Sequence, residues 1–348
     1  MQPNTLAAWP FGRRAMTLIA IYLTGRGFMF YRDKTCVVTG GTGFIGGHIT
    51  RHLLQQGARV RVIAHKRADD WPHENVEVVR ADLSQQDDCL RALADAECVF
   101  HCAGAVSAAG VTVGRGANPM APITINTVLT AQVLQAAWTR QVERILIFSS
   151  STGYPDVAHP VREEEMWDAP PATPYFGYGW SRRYMEVLAE FVTRRSDTKV
   201  AICRPTAVYG PHDNFDPATS HVIPALIHKA VTKMNPFEVW GTGEDIRDSL
   251  HVDDLARGCL LLLQKHAECD PVNIGLGQGH SVRELVEIIL AAAGHNDVEL
   301  NFDASRPTTI PVRLADVSKA QDVLGFEPRI SLRDGITDTV KWYQTHIG

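Results

Sequence analysis

From Lys34 onward, apolar positions along the chain fall into two alternating rhythms. Short β-branched runs are followed by stretches whose apolar residues recur three and four apart. The first run, TCVVT, predicts a buried strand over Thr35–Thr39. Ile45, Ile49, Leu53 and Leu54 then fall at helical spacing and end at Gly57, a C-terminal stop. RVRVIA at 59–64 and VEVVRADL at 76–83 predict the next two strands, and the helix after them is expected to run to Ala96. CVFHCAG at 98–104, a helix from Asn126 to Trp138, and RILIFSSS at 144–151 complete the series. Strands alternating with helices in this way predict an α/β fold built on a doubly wound parallel sheet.

Composition narrows the field. A chain of 348 residues suffices for two domains or one large α/β unit. Its 45% hydrophobic and 21% charged content is ordinary for a soluble globular protein. A net charge of -5 offers no basic field, which sets nucleic acid aside as a partner. The seven cysteines form no CxxC pair and are odd in number, so reduced thiols in a cytoplasmic setting are expected, with no metal site. Cys98 and Cys102 read as small core side chains on one strand. Residues 1–33 stand apart. Arg13 and Arg14 precede AMTLIAIYL, a run of nine that is too short to cross a bilayer. It resembles a secretion signal without a clean cleavage site, and is read as an extension, with Met29 an alternative start. No later segment reads as a membrane helix.

Between the first strand and helix stand Gly40, Gly43 and Gly46, with Phe44 and Ile45 opening the helix. Side chains at the glycines would block the backbone from a pyrophosphate, and a helix N-terminus offers that anion free N–H groups. In strand–turn–helix context this predicts a Rossmann-type dinucleotide site. After the second strand, where NAD sites usually carry an acidic residue, stand Ala64, His65, Lys66 and Arg67. Three cationic candidates fit a 2′-phosphate, so NADP is expected, with NAD as the alternative. Further on, YFGYGWSRRYME at 175–186 has two readings. It is either the start of an amphipathic helix with exposed arginines, or a phenol, Tyr178, held one turn from a cation, Arg182, for proton transfer.

Together TGGTGFIG at 39–46, Asp82-Leu83, HCAG at 101–104, SSSTGYP at 149–155 and YGWSR at 178–182 resemble the extended short-chain dehydrogenase/reductase family. The resemblance implies that Asp82 and Leu83 meet the adenine, that Ala103, Gly104 and Pro205 line the cofactor, and that Ser150 and Tyr178 are catalytic. From residue 34 to the C-terminus, HDNF and SHVIPAL within 204–230, the 239–256 segment and the 302–326 segment are similar to the GDP-L-fucose synthase branch of that family. This implies a GDP-linked 4-keto-6-deoxy sugar as substrate, a homodimer, and NADPH as hydride donor. It also implies substrate contacts from Asn214, Lys229, Trp240, Arg247 and Arg306, with Arg247 on the diphosphate. A mainly dinucleotide-binding domain over 34–205 and a smaller, mainly substrate-binding α/β domain over 206–348, with some elements exchanged, are expected.

Two positions depart from the pattern that resemblance implies. Arg182 stands where the family has lysine, and Thr152 where the fucose synthases have an epimerising cysteine, while His221 keeps the histidine. Arginine keeps the charge but releases no proton at ordinary pH. A nearby cation favours phenolate at Tyr178. Threonine is too weak an acid or base for carbon proton transfer, so reduction without epimerisation is the simpler chemistry. His221 is either a single acid or base or a residue that orients the sugar. Trp240 is either a stacking face or ordinary core.

Overall fold

The computed structural model describes residues 30–65, 73–105, 118–306 and 308–347. The apolar N-terminal run, Lys66 and Arg67 lie outside the described residues. Phe30 and Tyr31 fall within the stretch read as an extension, yet Tyr31 is fully buried and its hydroxyl donates to Leu260 O at 2.7 Å.

Strand β1 (Thr35–Thr39) shows how the sheet divides its side chains. Cys36 and Val38 join one core cluster while Val37 joins the other, the period-two alternation of a strand buried on both faces. Beside it lie β2 (Arg59–Ala64) and β3 (Val76–Arg80) on one side. On the other lie β4 (Cys98–His101), β5 (Arg144–Phe148), β6 (Lys199–Pro205) and β10 (Val272–Ile274). All pairs are parallel, in the order β10-β6-β5-β4-β1-β2-β3. One face is covered by α1 (Phe44–Gln55) and α6 (Val252–Lys265). The other is covered by α2 (Gln86–Ala92), α3 (Met120–Thr139) and α4 (Phe176–Arg195). This is the doubly wound α/β fold that the alternating pattern predicts.

The helices differ from expectation at their ends. α3 begins at Met120, six residues before Asn126, because Pro119 is its N-cap and Pro122 falls in the first turn. There a missing N–H costs nothing. α2 stops at Ala92 rather than Ala96, and Asp95 follows at φ 57°, outside helical space. The strands end before their motifs do. Asp82, Cys102 to Gly104, and Ser149 to Ser151 leave the sheet as loops at the carboxyl edge.

The second set of elements is smaller. β9 (Ile246–His251) pairs with β7 (Ala207–Tyr209), β11 (Gly279–Ser281) and β13 (Val312–Arg313). β8 (Phe237–Trp240) pairs with β12 (Leu300–Asp303). Three helices, α5 (Val222–Val231), α7 (Val282–Ala293) and α8 (Leu332–His346), share a third core cluster with them. α7 has a complete capping box, Ser281 with Glu284, and ends at left-handed Gly294. Among the described residues no helix is long and apolar enough to cross a membrane.

Candidate active site

Because the seven strands are parallel, their carboxyl ends share one edge, and the order reverses between β1 and β4. Ligands of such sheets bind at that switch point. The glycine turn after β1, His101 to Gly104 after β4, Ser150 after β5 and Pro205 at the end of β6 all meet there.

The turn fits a dinucleotide by what it leaves out. A Cβ on Gly46 would overlap Gly40 O, and one on Gly40 would come within 2.9 Å of Ala103 N. Gly43 is the extended N-cap of α1, so Phe44, Ile45 and Gly46 present the first-turn N–H groups. Ala103 N donates to Thr39 Oγ1 at 3.1 Å, drawing the β4 end onto the β1 end. Gly104 is exposed, and Ala105 beside it is pinned by Asn126. Asn126 Oδ1 accepts from Ala105 N at 2.7 Å and Nδ2 donates to Ala105 O at 2.9 Å. Sequence reasoning missed Asn126; its only trace was an amide on the buried face of a helix. Asp82 accepts from Ser84 N–H and hydroxyl, which hold its carboxyl below the usual range, with the His65 charge adding. Leu83, by contrast, is a core side chain, only 6% exposed.

Tyr178 with Arg182, and Ser150 with Thr152, form two hydrogen-bonded pairs at the end of β5. Arg182 Nη2 donates to Tyr178 Oη, and its guanidinium carbon lies 4.7 Å from that ring. Arg182 Nη1 donates to Phe148 O at 2.9 Å, at the end of the strand that leads into Ser150. Ser150 Oγ accepts from Thr152 Oγ1 at 2.9 Å and from Thr152 N at 3.2 Å. A Cβ on Gly179 would come within 2.6 Å of Thr152 O, so the first turn of α4 lies against this loop. His101 is buried between Thr39 Oγ1 at 2.8 Å and Thr130 Oγ1 at 3.2 Å. Burial, with the Arg182 charge adding, lowers its imidazole to about 3.

The residues expected on the substrate side separate into two groups. Trp240 is 44% exposed, with the Arg306 guanidinium 5.4 Å from its ring, so it is a surface indole rather than core. Lys229 donates to Glu238 O at 2.7 Å, and burial, aided by the Arg306 charge, lowers its ammonium. Arg247 lies elsewhere. It is 9% exposed and donates to Ile246 O at 2.8 Å, Asp245 Oδ2 at 3.0 Å and Thr309 Oγ1 at 3.2 Å. Arg313, its register partner on β13, adds its field to burial in lowering Arg247. Arg313 also faces His221. That ring is exposed by area, but the protein around it desolvates it and Arg313 repels its proton, so it is lowered to about 4. Arg313 Nη1 donates to Tyr175 Oη at 3.0 Å, at the N-cap of α4. Sequence reasoning missed Arg313, because nothing in its own segment distinguishes it from a solvated cation. Asn214 organises its own loop, bonding Thr219 Oγ1 at 2.8 Å and accepting from Asp216 N at 3.1 Å.

Known proteins are similar to this chain in sequence and in fold. GDP-L-fucose synthase 1 of Arabidopsis thaliana is 32% identical over 319 residues, covering 89% of this chain and 93% of its own. The dTDP-4-dehydro-6-deoxy-D-allose reductase of a Streptomyces species is equally similar, 32% over 330 residues, covering 91% and 98%. UDP-glucose 4-epimerase of Thermotoga maritima, solved with UDP-glucose, superposes with a TM-score of 0.80 at 26% identity, covering 90% and 100%. Residues 36–275 match the model of the NAD dependent epimerase/dehydratase family. With a glycine cradle shaped for a dinucleotide and Ser150, Tyr178 and Arg182 beside it, the chain belongs to that family and is an NAD(P)-dependent enzyme of the nucleotide-sugar oxidoreductase/epimerase class.

Proposed function

We propose that this protein reduces the C4 ketone of a GDP-linked 4-keto-6-deoxy sugar. The observation that carries the proposal is Arg182, which ties Tyr178 Oη to the backbone of β5 two residues before Ser150. That tie holds a phenol and a serine hydroxyl at one edge, the pair needed to bind and protonate a carbonyl oxygen. The nicotinamide dinucleotide, held by the glycine turn and the Asp82 loop, supplies the hydride when bound. NADPH is the proposed donor, on the strength of His65, Lys66 and Arg67 and of Ala64 at the end of β2, where NAD sites usually carry an acidic residue. Tyr178 gives its proton to the sugar oxygen, and Ser150 donates a hydrogen bond to the same atom. Arg182 stays charged throughout and positions Tyr178 without joining a relay.

Two-centre epimerisation requires an acid and a base on opposite faces of a carbon. His221, neutral at pH 7 with its imidazole near 4, suits a base or an orienting acceptor. Thr152 has only a hydroxyl to offer opposite it, so reduction alone is the proposed chemistry. Arg247 and Arg313 make a positive corner suited to a diphosphate, and the Trp240 indole suits stacking of a base. We further propose a homodimer, formed through the exposed apolar stripe of α3 and α4.

A second reading is supported by the family's NAD dependence and the likeness to a 4-epimerase: net-neutral epimerisation, with the hydride returned to the sugar. Mixing the protein with NADPH and GDP-4-keto-6-deoxymannose separates the two. Stoichiometric NADPH oxidation is the expected result. Sugar turnover without cofactor loss would favour the second reading, and dinucleotide binding without any turnover would overturn both. Tyr178→Phe is expected to lower kcat by roughly 10²–10⁴-fold while leaving dinucleotide affinity within a few-fold, read by fluorescence titration.

A further inference from the structure

Ser150 accepts two hydrogen bonds, and both come from one residue. The Thr152 backbone N–H reaches its Oγ at 3.2 Å and the Thr152 hydroxyl reaches it at 2.9 Å. The first is the N-cap bond of the short 3₁₀ turn Ser151–Gly153, so it is built into the loop itself. The second exists only because residue 152 carries a hydroxyl. A serine oxygen has two acceptor sites and one hydrogen. With both acceptor sites filled from behind, its remaining hydrogen can only be given away. Thr152 is itself held in place, since its carbonyl lies under the first turn of α4, where Gly179 has no side chain to displace it.

We infer that Thr152 is a positioning residue that makes Ser150 a one-way donor, tuned to a sugar ketone over the corresponding alcohol. A ketone oxygen only accepts, so it satisfies the fixed Ser150 proton fully. An alcohol needs an acceptor for its own hydrogen, and Ser150 so held offers none. The residue that lacks the acidity for carbon proton transfer thereby serves the carbonyl chemistry instead. No bond is made or broken by Thr152; it acts only through the orientation of Ser150.

The inference rests on the ketone-reducing reading above, and its test keeps the two apart. Thr152→Val preserves shape and removes the hydroxyl; Thr152→Ser returns it. For the ketosugar, Thr152→Val should lower kcat by about tenfold to a hundredfold with KM changed less than threefold, as expected when a preorganised donor is lost. It should also tighten inhibition by the alcohol product relative to the ketone. Thr152→Ser should recover both. In a Ser150→Ala background Thr152→Val should add almost nothing. Wild-type kinetics in Thr152→Val, or an undiminished effect without Ser150, would overturn the inference. If the wild-type protein reduces no ketosugar, the proposed function fails, and crystal structures still decide this point. Ser150 Oγ should leave its position in Thr152→Val and keep it in Thr152→Ser; an unmoved Oγ in Thr152→Val would overturn the inference on its own.

Discussion

At Arg182 and His101, burial and a fixed charge act on neighbouring groups. Arg182 divides its guanidinium between Tyr178 Oη and Phe148 O, so it is both an anchor and a source of positive potential. Replacing it by methionine should remove both roles; kcat/KM is expected to fall roughly 10²-fold or more, with Arg182→Lys retaining most of the rate. Steady-state kinetics on the two variants check this. The same charge bears on His101, which is buried and held near pKa 3 against an ordinary 6.5. In the unfolded chain that imidazole binds a proton below about pH 6.5, whereas the folded chain resists until about 3. The unfolded state therefore takes up more protons in this window, and stability falls as the pH drops from 6.5 toward 3. Its full loss across the window is on the order of 5 kcal/mol at most. His101→Gln should flatten the acid limb of the stability curve, measured as urea midpoints between pH 7 and 4.

At the scale of elements, α4 corrects one part of the amphipathic reading of the 175–186 segment, its exposed arginines. Arg183 is not a solvated cation: it is 1% exposed and donates to Gly153 O at 2.9 Å and Ala169 O at 2.6 Å. Two turns past Tyr178, Glu186 takes both ends of Arg204 on β6 at 2.8 and 2.7 Å. Arg204 also donates to Tyr154 Oη at 2.9 Å, and Tyr154 donates to Asn273 Oδ1 at 2.7 Å on β10. One buried network thus fastens the tyrosine-bearing helix, the loop after Ser150 and the sheet edge together. Breaking such a pair leaves a charge without its partner in low dielectric. Arg204→Met is expected to cost about 3–5 kcal/mol in chemical denaturation, and adding Glu186→Leu should return part of it.

Across the whole molecule, one surface is conspicuously apolar. Phe176, Trp180, Tyr184, Val187 and Phe191 form an exposed stripe at four- and three-residue spacing along α4. Ile125, Val128 and Trp138 add to it from α3, and Trp138 meets Phe191 edge-on at 6.0 Å between centroids. Patches of this kind mark contact surfaces. The proposed homodimer would cover it, and Phe191→Glu should shift the protein to monomer in sedimentation while leaving dinucleotide binding intact.

What could be read from the sequence was whatever depends on near neighbours along the chain. The strand at Thr35–Thr39, the strand at Arg59–Ala64 and the glycine turn between them are written in residues a few positions apart, because periodicity and turn geometry are local. Tyr178 and Arg182 were legible for the same reason, being one helical turn apart. Helix ends were less so: the helix expected from Asn126 begins at Met120, behind Pro119 as its N-cap. The tertiary structure alone decided which distant groups meet. Arg313 joins Tyr175 across 138 positions, and its charge reaches both His221 and Arg247. Asn126 pins Ala105, 21 positions away. Arg247 is held by acceptors on Ile246, Asp245 and Thr309, the last of them 62 positions away. Such pairings depend on how packed elements bring side chains together and which of them are stripped of water, and no local spacing carries that information.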